Sequence, residues 1–153
     1  MLARDLAEPY PYVTTDEDAT HAVRLLARHR LPALLVVDTD AKPYAVVPCA
    51  HLVGRLIPEH TTEDPPNAAV LNGRILDKTR ERIEGLTVRN WLPPGSSRPP
   101  TVEHDANLTR IAVLFARTHS PLVAVVERDG DQTWLAGVVT AARLLEGLAV
   151  GES

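Results

Sequence analysis

Residues 13–38 read VTTDEDATHAVRLLARHRLPALLVVD, and residues 102–127 read VEHDANLTRIAVLFARTHSPLVAVVE. The two stretches align without a gap at a single step of 89 residues, which carries Pro32 onto Pro121. Nine of the 26 pairs are identical: Val13/Val102, Asp16/Asp105, Thr20/Thr109, Leu25/Leu114, Ala27/Ala116, Arg28/Arg117, Pro32/Pro121, Val36/Val125 and Val37/Val126. A self-match of this length means two copies of one supersecondary unit, each needing the other to bury its apolar face.

Within the first copy, Thr15-Asp16-Glu17-Asp18 offers helix-capping side chains and early negative charge. Ala19, Ala22, Val23 and Leu26 then recur at one face of a helix. That helix is expected to stop near Arg30, because Pro32 disfavours helical geometry at Leu31. Residues 33–38 form a short apolar run with β-branched members, which predicts a buried strand. Residues 38–43 read as a turn, 44–47 as the returning strand, and 49–57 as a helix through Leu52, Val53 and Leu56. The second copy repeats the order. Its helix face is Leu108, Ile111, Ala112 and Phe115, its strands are 122–127 and 135–139, and residues 128–132 are the turn. Thr140 is placed to cap a final helix reaching about Leu148. Ala45 aligns with Gly137 at a step of 92, which predicts a second hairpin loop three residues longer.

A connector separates the copies. Residues 58–66 hold three prolines and read as a loop, and Asn67 can cap a helix over 68–84 with Leu71, Ile75 and Ile83 on its buried side. Thr87-Val88-Arg89-Asn90-Trp91 echoes Ala3-Arg4-Asp5-Leu6 at a step of 85, and the four-residue change of step falls in the proline-bracketed loop 92–100, LPPGSSRPP. The expected organisation is a first repeat over 1–57, a connector with a helix over 58–86, and a second repeat over 87–150. The fold class is α/β (α+β), two β-α-β-β-α repeats packed with pseudo-two-fold symmetry.

Composition bounds the function. A net charge of −4 and a pI of about 5.8 give no footprint for nucleic acid. No run of 18 apolar residues occurs, so direct membrane insertion is not expected. The opening MLARDLAEPYPYV lacks the apolar stretch of a signal peptide, and the single cysteine, Cys49, suits a reducing compartment. A cytoplasmic location is the expectation. The six histidines form no HxxxH or HExxH pair, and no EF-hand loop, GxSxG, P-loop or GxGxxG occurs, so neither a metal site nor catalysis is expected. Cys49 reads as a small apolar group rather than a reactive thiol.

The ordered series resembles a tandem pair of CBS domains, a Bateman module, over nearly the whole chain. The resemblance is carried by Ala3-Arg4-Asp5-Leu6, Val13-Thr14-Thr15-Asp16, Arg30-Leu31-Pro32 and Val36-Val37-Asp38 of the first copy. In the second it is carried by Val102-Glu103-His104-Asp105, Ser120-Pro121, Val125-Val126-Glu127 and Gly137-Val138-Val139-Thr140. The resemblance implies a sensor rather than a catalyst. It implies two clefts between the repeats and regulatory ligands such as AMP, ADP, ATP or S-adenosylmethionine, with no cofactor required. It also implies a homodimer paired through helices, and a separately encoded transporter or enzyme as partner.

Ligand-binding members of the family carry a Thr or Ser, then three residues later an Asp that accepts from both ribose hydroxyls. This chain departs there: the pair is Thr140 and Arg143 in the second copy, and Pro48 and His51 in the first. Arginine only donates, and Pro48 has neither hydroxyl nor N–H. The main cleft expected by analogy joins Val138, Thr140 and Arg143 to Tyr12, Val13, Leu31 and Pro32, with Arg143 meeting a phosphate or carboxylate and Tyr12 stacking on a base; the plainer alternatives are a solvated helix arginine, a Thr140 that only caps its helix and a Tyr12 at the rim. The weaker cleft joins Val46, Pro48 and His51 to Thr101, Val102, Ser120 and Pro121. Two readings stay open: a sensor of an adenosine nucleotide or related anion, and a ligand-independent dimerisation or protein-interaction module with degenerate nucleotide sites.

Overall fold

The computed structural model describes residues 1–56 and 80–151. The loop expected over 58–66, the Asn67 cap and most of the helix expected over 68–84 lie outside the described residues; residues 80–83 are helical, and Ile83 is buried. The elements in chain order are α1 (Ala3–Leu6), β1 (Val13–Thr14), α2 (Ala19–His29), β2 (Ala33–Val37), β3 (Pro43–Pro48), α3 (Cys49–Leu56), α4 (Val88–Trp91), β4 (Thr101–Glu103), α5 (Leu108–Thr118), β5 (Leu122–Asp129), β6 (Gln132–Thr140) and α6 (Ala141–Gly151).

Each copy builds one three-stranded sheet, β1-β2-β3 and β4-β5-β6, with the first pair parallel and the second antiparallel. A parallel pair needs a crossover, and α2 and α5 supply it. Both helices stop where Leu31 and Ser120 precede a proline, and their C-caps, Arg30 (φ 50°) and His119 (φ 53°), take the left-handed turn that a glycine often fills. The two N-termini differ. Asn107 caps α5 by accepting from the Arg110 N–H at 2.9 Å. Asp18 makes no side-chain cap to α2, contrary to the sequence reading. The acidic run is spent instead on its own turn, where Glu17 accepts from the Thr14 N–H at 3.1 Å and Asp16 from the Thr14 hydroxyl at 2.6 Å.

The hairpins also correct an expectation. The three extra residues of the second copy lengthen its strands, not its loop. Asp129 pairs with Gln132 across a two-residue turn at Gly130-Asp131, and Gly130 (φ 63°) supplies the positive φ that such a turn requires. The shorter first hairpin turns over residues 38–42, held by Asp38, whose carboxylate accepts from the N–H groups of Asp40 and Lys42 at 2.9 and 3.0 Å. Both sheets shift register at the same repeat position, Val36/Val37 and Val125/Val126.

The two leader helices are exchanged. α1 precedes the first copy in sequence, yet Ala3 and Leu6 are fully buried in the core of the second, against Val102, Ile111, Val123, Val125, Val139 and Leu144. α4 precedes the second copy, yet Val88 and Trp91 fill the core of the first, with Val13, Leu34, Val36 and Leu52. The backbone bonds repeat in kind: Ala3 and Arg4 N–H donate to Ala106 and His104, and Val88 and Arg89 N–H donate to Glu17 and Thr15. A third cluster, Ala33, Leu35, Val46, Leu122 and Val138 with Tyr10 and Leu135, joins the repeats to each other.

Two outcomes follow from this packing. Leu6→Ala should destabilise the chain by about 2–5 kcal/mol in urea unfolding, the range for a buried leucine truncated in a core that cannot collapse around it. Tyr10 donates its hydroxyl to the Ala33 carbonyl at 2.7 Å, and burial pushes its phenol up to about 12. Folding therefore favours the protonated phenol, so its contribution is complete below pH 10 and is lost as pH rises through about 12. Unfolding titrations of wild type and Tyr10→Phe from pH 9 to 12 should diverge, with the wild type losing stability more steeply.

Candidate functional site

The junction of β3 with α3 and the junction of β6 with α6 are equivalent places in the two copies, and the structure treats them differently. At the first, Val46, Pro48 and His51 face Ser120 and Pro121 of the second copy across a cleft of about 530 Å³. The loop 92–100 forms its third wall through Pro93, Ser96, Arg98 and Pro100. Five of the residues assigned to this cleft from sequence, Val46, Pro48, His51, Ser120 and Pro121, are thus brought together. Thr101 and Val102 are not in its wall; they stand in β4 just past Pro100, Thr101 exposed and Val102 buried.

At the second junction the chain leaving α1 lies against the returning strand. Glu8 pairs with Val138 through reciprocal backbone bonds of 2.9 and 3.0 Å, so residues beyond α1 run along the edge of β6. Gly137 permits that approach: a Cβ there would lie 3.1 Å from the Glu8 carbonyl oxygen and 3.2 Å from the Ala7 Cβ. Thr140 is a cap, its hydroxyl accepting from the Arg143 N–H at 3.2 Å. Arg143 donates from Nε to the Leu6 carbonyl and from its NH2 nitrogen to the Asp5 carbonyl, both at 3.3 Å, and pairs with Glu146 at 2.9 Å and Glu8 at 3.6 Å. Its guanidinium closes the C-terminus of α1, where unsatisfied carbonyls favour a cation. The other residues of that set differ in exposure. Val13 is buried in β1, Pro32 is exposed, the Leu31 carbonyl accepts from the Cys49 thiol at 2.9 Å, and Tyr12 is 49% exposed. Open space of about 530 Å³ thus lies beside the set built around His51.

One substitution of roles explains the asymmetry. The counterpart of Leu6 is Trp91, and its carbonyl accepts from Arg55 Nε at 3.4 Å. Arg55 stands one helical turn beyond His51, the counterpart of Arg143. A guanidinium from Arg55 closes α4 and leaves the His51 position facing the cleft. In the second copy the Arg55 position is Gly147, where a Cβ would meet Leu6 Cδ2 at 2.9 Å, so only Arg143 can do that work.

The wall also holds residues that the sequence reading passed over. Arg98 lies in the loop that changes the repeat step, and His119 is the left-handed counterpart of Arg30. The four-residue excess of loop 92–100 over its counterpart was the available signal, since an insertion at a repeat boundary adds a wall to one cleft only. Cys49 lies beside this site, and burial raises its thiol above the ordinary cysteine range.

Comparison with known proteins places this arrangement. A family model described as the CBS domain matches residues 3–57 and 95–150. A CBS domain-containing protein of unknown function from Kribbella flavida is 38% identical, with 97% of this chain and 99% of that one covered and a TM-score of 0.87. The structure of CBSX2 in complex with AMP is 21% identical, with 99% and 98% covered and a TM-score of 0.66. The CBS domain of the bacterial CNNM/CorC family Mg2+ transporter in complex with ATP is 14% identical, with 97% and 87% covered and a TM-score of 0.67. No curated protein matches the chain significantly.

Arg143→Ala should release the end of α1 without emptying a core site. Its expected cost is about 1–2 kcal/mol, the loss of charge-assisted bonds to partly exposed carbonyls. Amide exchange should quicken at Glu8 and Val138 before it does in β5; unchanged exchange at both would remove Arg143 from this role.

Proposed function

We propose, because the chain belongs to the CBS-domain family as a tandem pair, that it is a regulatory module taking an adenosine nucleotide or related anionic ligand in the open cleft. The single observation that supports this is the cleft's construction: one wall from β3 and α3, the other from the turn between α5 and β5, so a bound ligand touches both repeats. A ligand gripping both walls favours one relative setting of the repeats, and an equilibrium between settings shifts only by that difference in affinity. Relatives crystallised with AMP or ATP are consistent with such a ligand. The cytoplasm is the compartment where these nucleotides are available. The relay runs to a separately encoded transporter or enzyme. Among the described residues no helix is long and apolar enough to cross a membrane.

A second reading is favoured by a separate observation. The final helices bury one leucine each, Leu52 and Leu144, and expose its neighbour, Val53 at 51% and Leu145 at 65%. Equivalent apolar positions left open on both copies suit a homodimer or a docking face more than a ligand.

A thermal-shift series with AMP, ADP, ATP and S-adenosylmethionine separates the two. A ligand at about 100 times its dissociation constant stabilises the fold by about 2.7 kcal/mol, which raises the midpoint by several degrees. Such a shift is expected for at least one of the four at millimolar concentration. No shift with any of them, together with a dimer that Leu145→Glu dissociates, selects the interaction module instead.

A further inference from the structure

We propose that the open cleft selects its ligand by phosphate charge and not by ribose. The inference rests on the reading of this cleft as the ligand site and concerns what that site recognises. Its wall carries three side chains able to bear charge: His51 from α3, Arg98 from loop 92–100 and His119 from the end of α5. All three are cationic or become so on protonation. The wall includes no aspartate or glutamate among the described residues, although the chain carries 20 acidic residues against 16 basic ones. The ionisable side chains of the wall are thus all basic in a chain of net negative charge.

None of the three is engaged in an ion pair or a side-chain hydrogen bond among the described residues. The contrast with Arg143, each of whose three guanidinium nitrogens has a partner at the other junction, is direct. The hydroxyls in the wall are largely committed too. Ser96, Thr118 and Ser120 donate to the carbonyls of Pro93, Leu114 and Leu122 at 2.6, 2.7 and 2.7 Å. Thr118 and Ser120 also accept from backbone N–H groups, at 3.2 and 3.4 Å.

A ribose diol presents two O–H donors and is held well by an ionised carboxylate that accepts both. This wall offers no such acceptor. A polyphosphate presents only acceptors and negative charge, which match free guanidinium and imidazole donors. The prolines around them, Pro48, Pro93, Pro100 and Pro121, have no backbone N–H and supply flat apolar surface, so polar recognition falls on the cations.

Isothermal titration of the full chain with ATP, 2′-deoxy-ATP, adenosine and inorganic tripolyphosphate tests this. ATP and 2′-deoxy-ATP should bind within about twofold of each other, and adenosine at least about tenfold more weakly, the factor that loss of one charge-assisted bond brings. Tripolyphosphate should compete with ATP. Arg98→Ala and His119→Asn should each weaken ATP by about tenfold while leaving the ligand-free unfolding midpoint in place, since both side chains are exposed. Adenosine binding as tightly as ATP, or a tenfold penalty for the missing 2′-hydroxyl, overturns charge selection and leaves the sensor reading standing. ATP affinity untouched by both substitutions overturns the assignment of these cations. Tripolyphosphate binding without ATP binding supports charge selection and overturns the adenosine ligand. Silence from all four overturns both.

Discussion

Each half of this molecule is finished by a helix that belongs, in sequence, to the other. Leu6 and Ala3 complete the core beneath β4-β5-β6, and Trp91 and Val88 complete the core beneath β1-β2-β3. A sheet of three short strands with one crossover helix leaves an apolar face that water would otherwise meet, at about 1.5–3 kcal/mol for each large side chain. The exchange covers that face with four residues from the opposite repeat. It also fixes the path of the chain between leader and first strand, and those two paths, residues 7–12 and 92–100, decide what happens at the junctions where a ligand would sit.

The two junctions share a backbone plan and diverge in side chains. Both leaders lay a segment against the returning strand, with Val138 N–H donating to Glu8 and Val46 N–H donating to Ser97. In the second copy the segment pairs reciprocally, Gly137 lets it in, and Arg143 ties it down. In the first copy the longer loop meets the strand at Ser97, Arg55 closes the leader from one turn away, and His51, Arg98 and His119 line the cleft. Loss of a carboxylate from both final helices thus has two structural meanings. At Arg143 the position has become part of the scaffold. At His51 it has become part of a wall whose ionisable side chains are all basic.

Most of the architecture was legible in the repeat itself. The step of 89 residues aligned strand with strand and helix with helix, and Pro32 and Pro121 marked both helix ends because a residue before proline leaves the helical region. The step of 85 found the leaders correctly, since Ala3–Leu6 and Val88–Trp91 are helices of equal length. What the alignment could not carry was where each leader packs, because homologous position in sequence says nothing of which neighbour fills which core. The acidic run 15–18 was misread for a related reason: carboxylates near a helix start cap it only if the turn lets them, and here Thr14 claims them first. The extra residues of the second hairpin were assigned to its loop because a change of step counts residues without showing whether they pair; Gly130 pivots a two-residue turn instead. How each leader is closed at its C-terminus was the hardest part to foresee. It depends on Arg55 and Gly147, positions outside any motif, whose meaning appears only when α1 and α4 are seen against the final helices.

The central claim is that the exchanged leaders make one cooperative unit of two repeats. Native-state hydrogen exchange tests it most directly. If each repeat holds the helix that completes the other, neither sheet can open alone, and the slowest amides of β2 and β5 should report one shared free energy of opening that falls in parallel with added denaturant. Two distinct plateaus, with one sheet exchanging through an opening that leaves the other protected, would contradict the account.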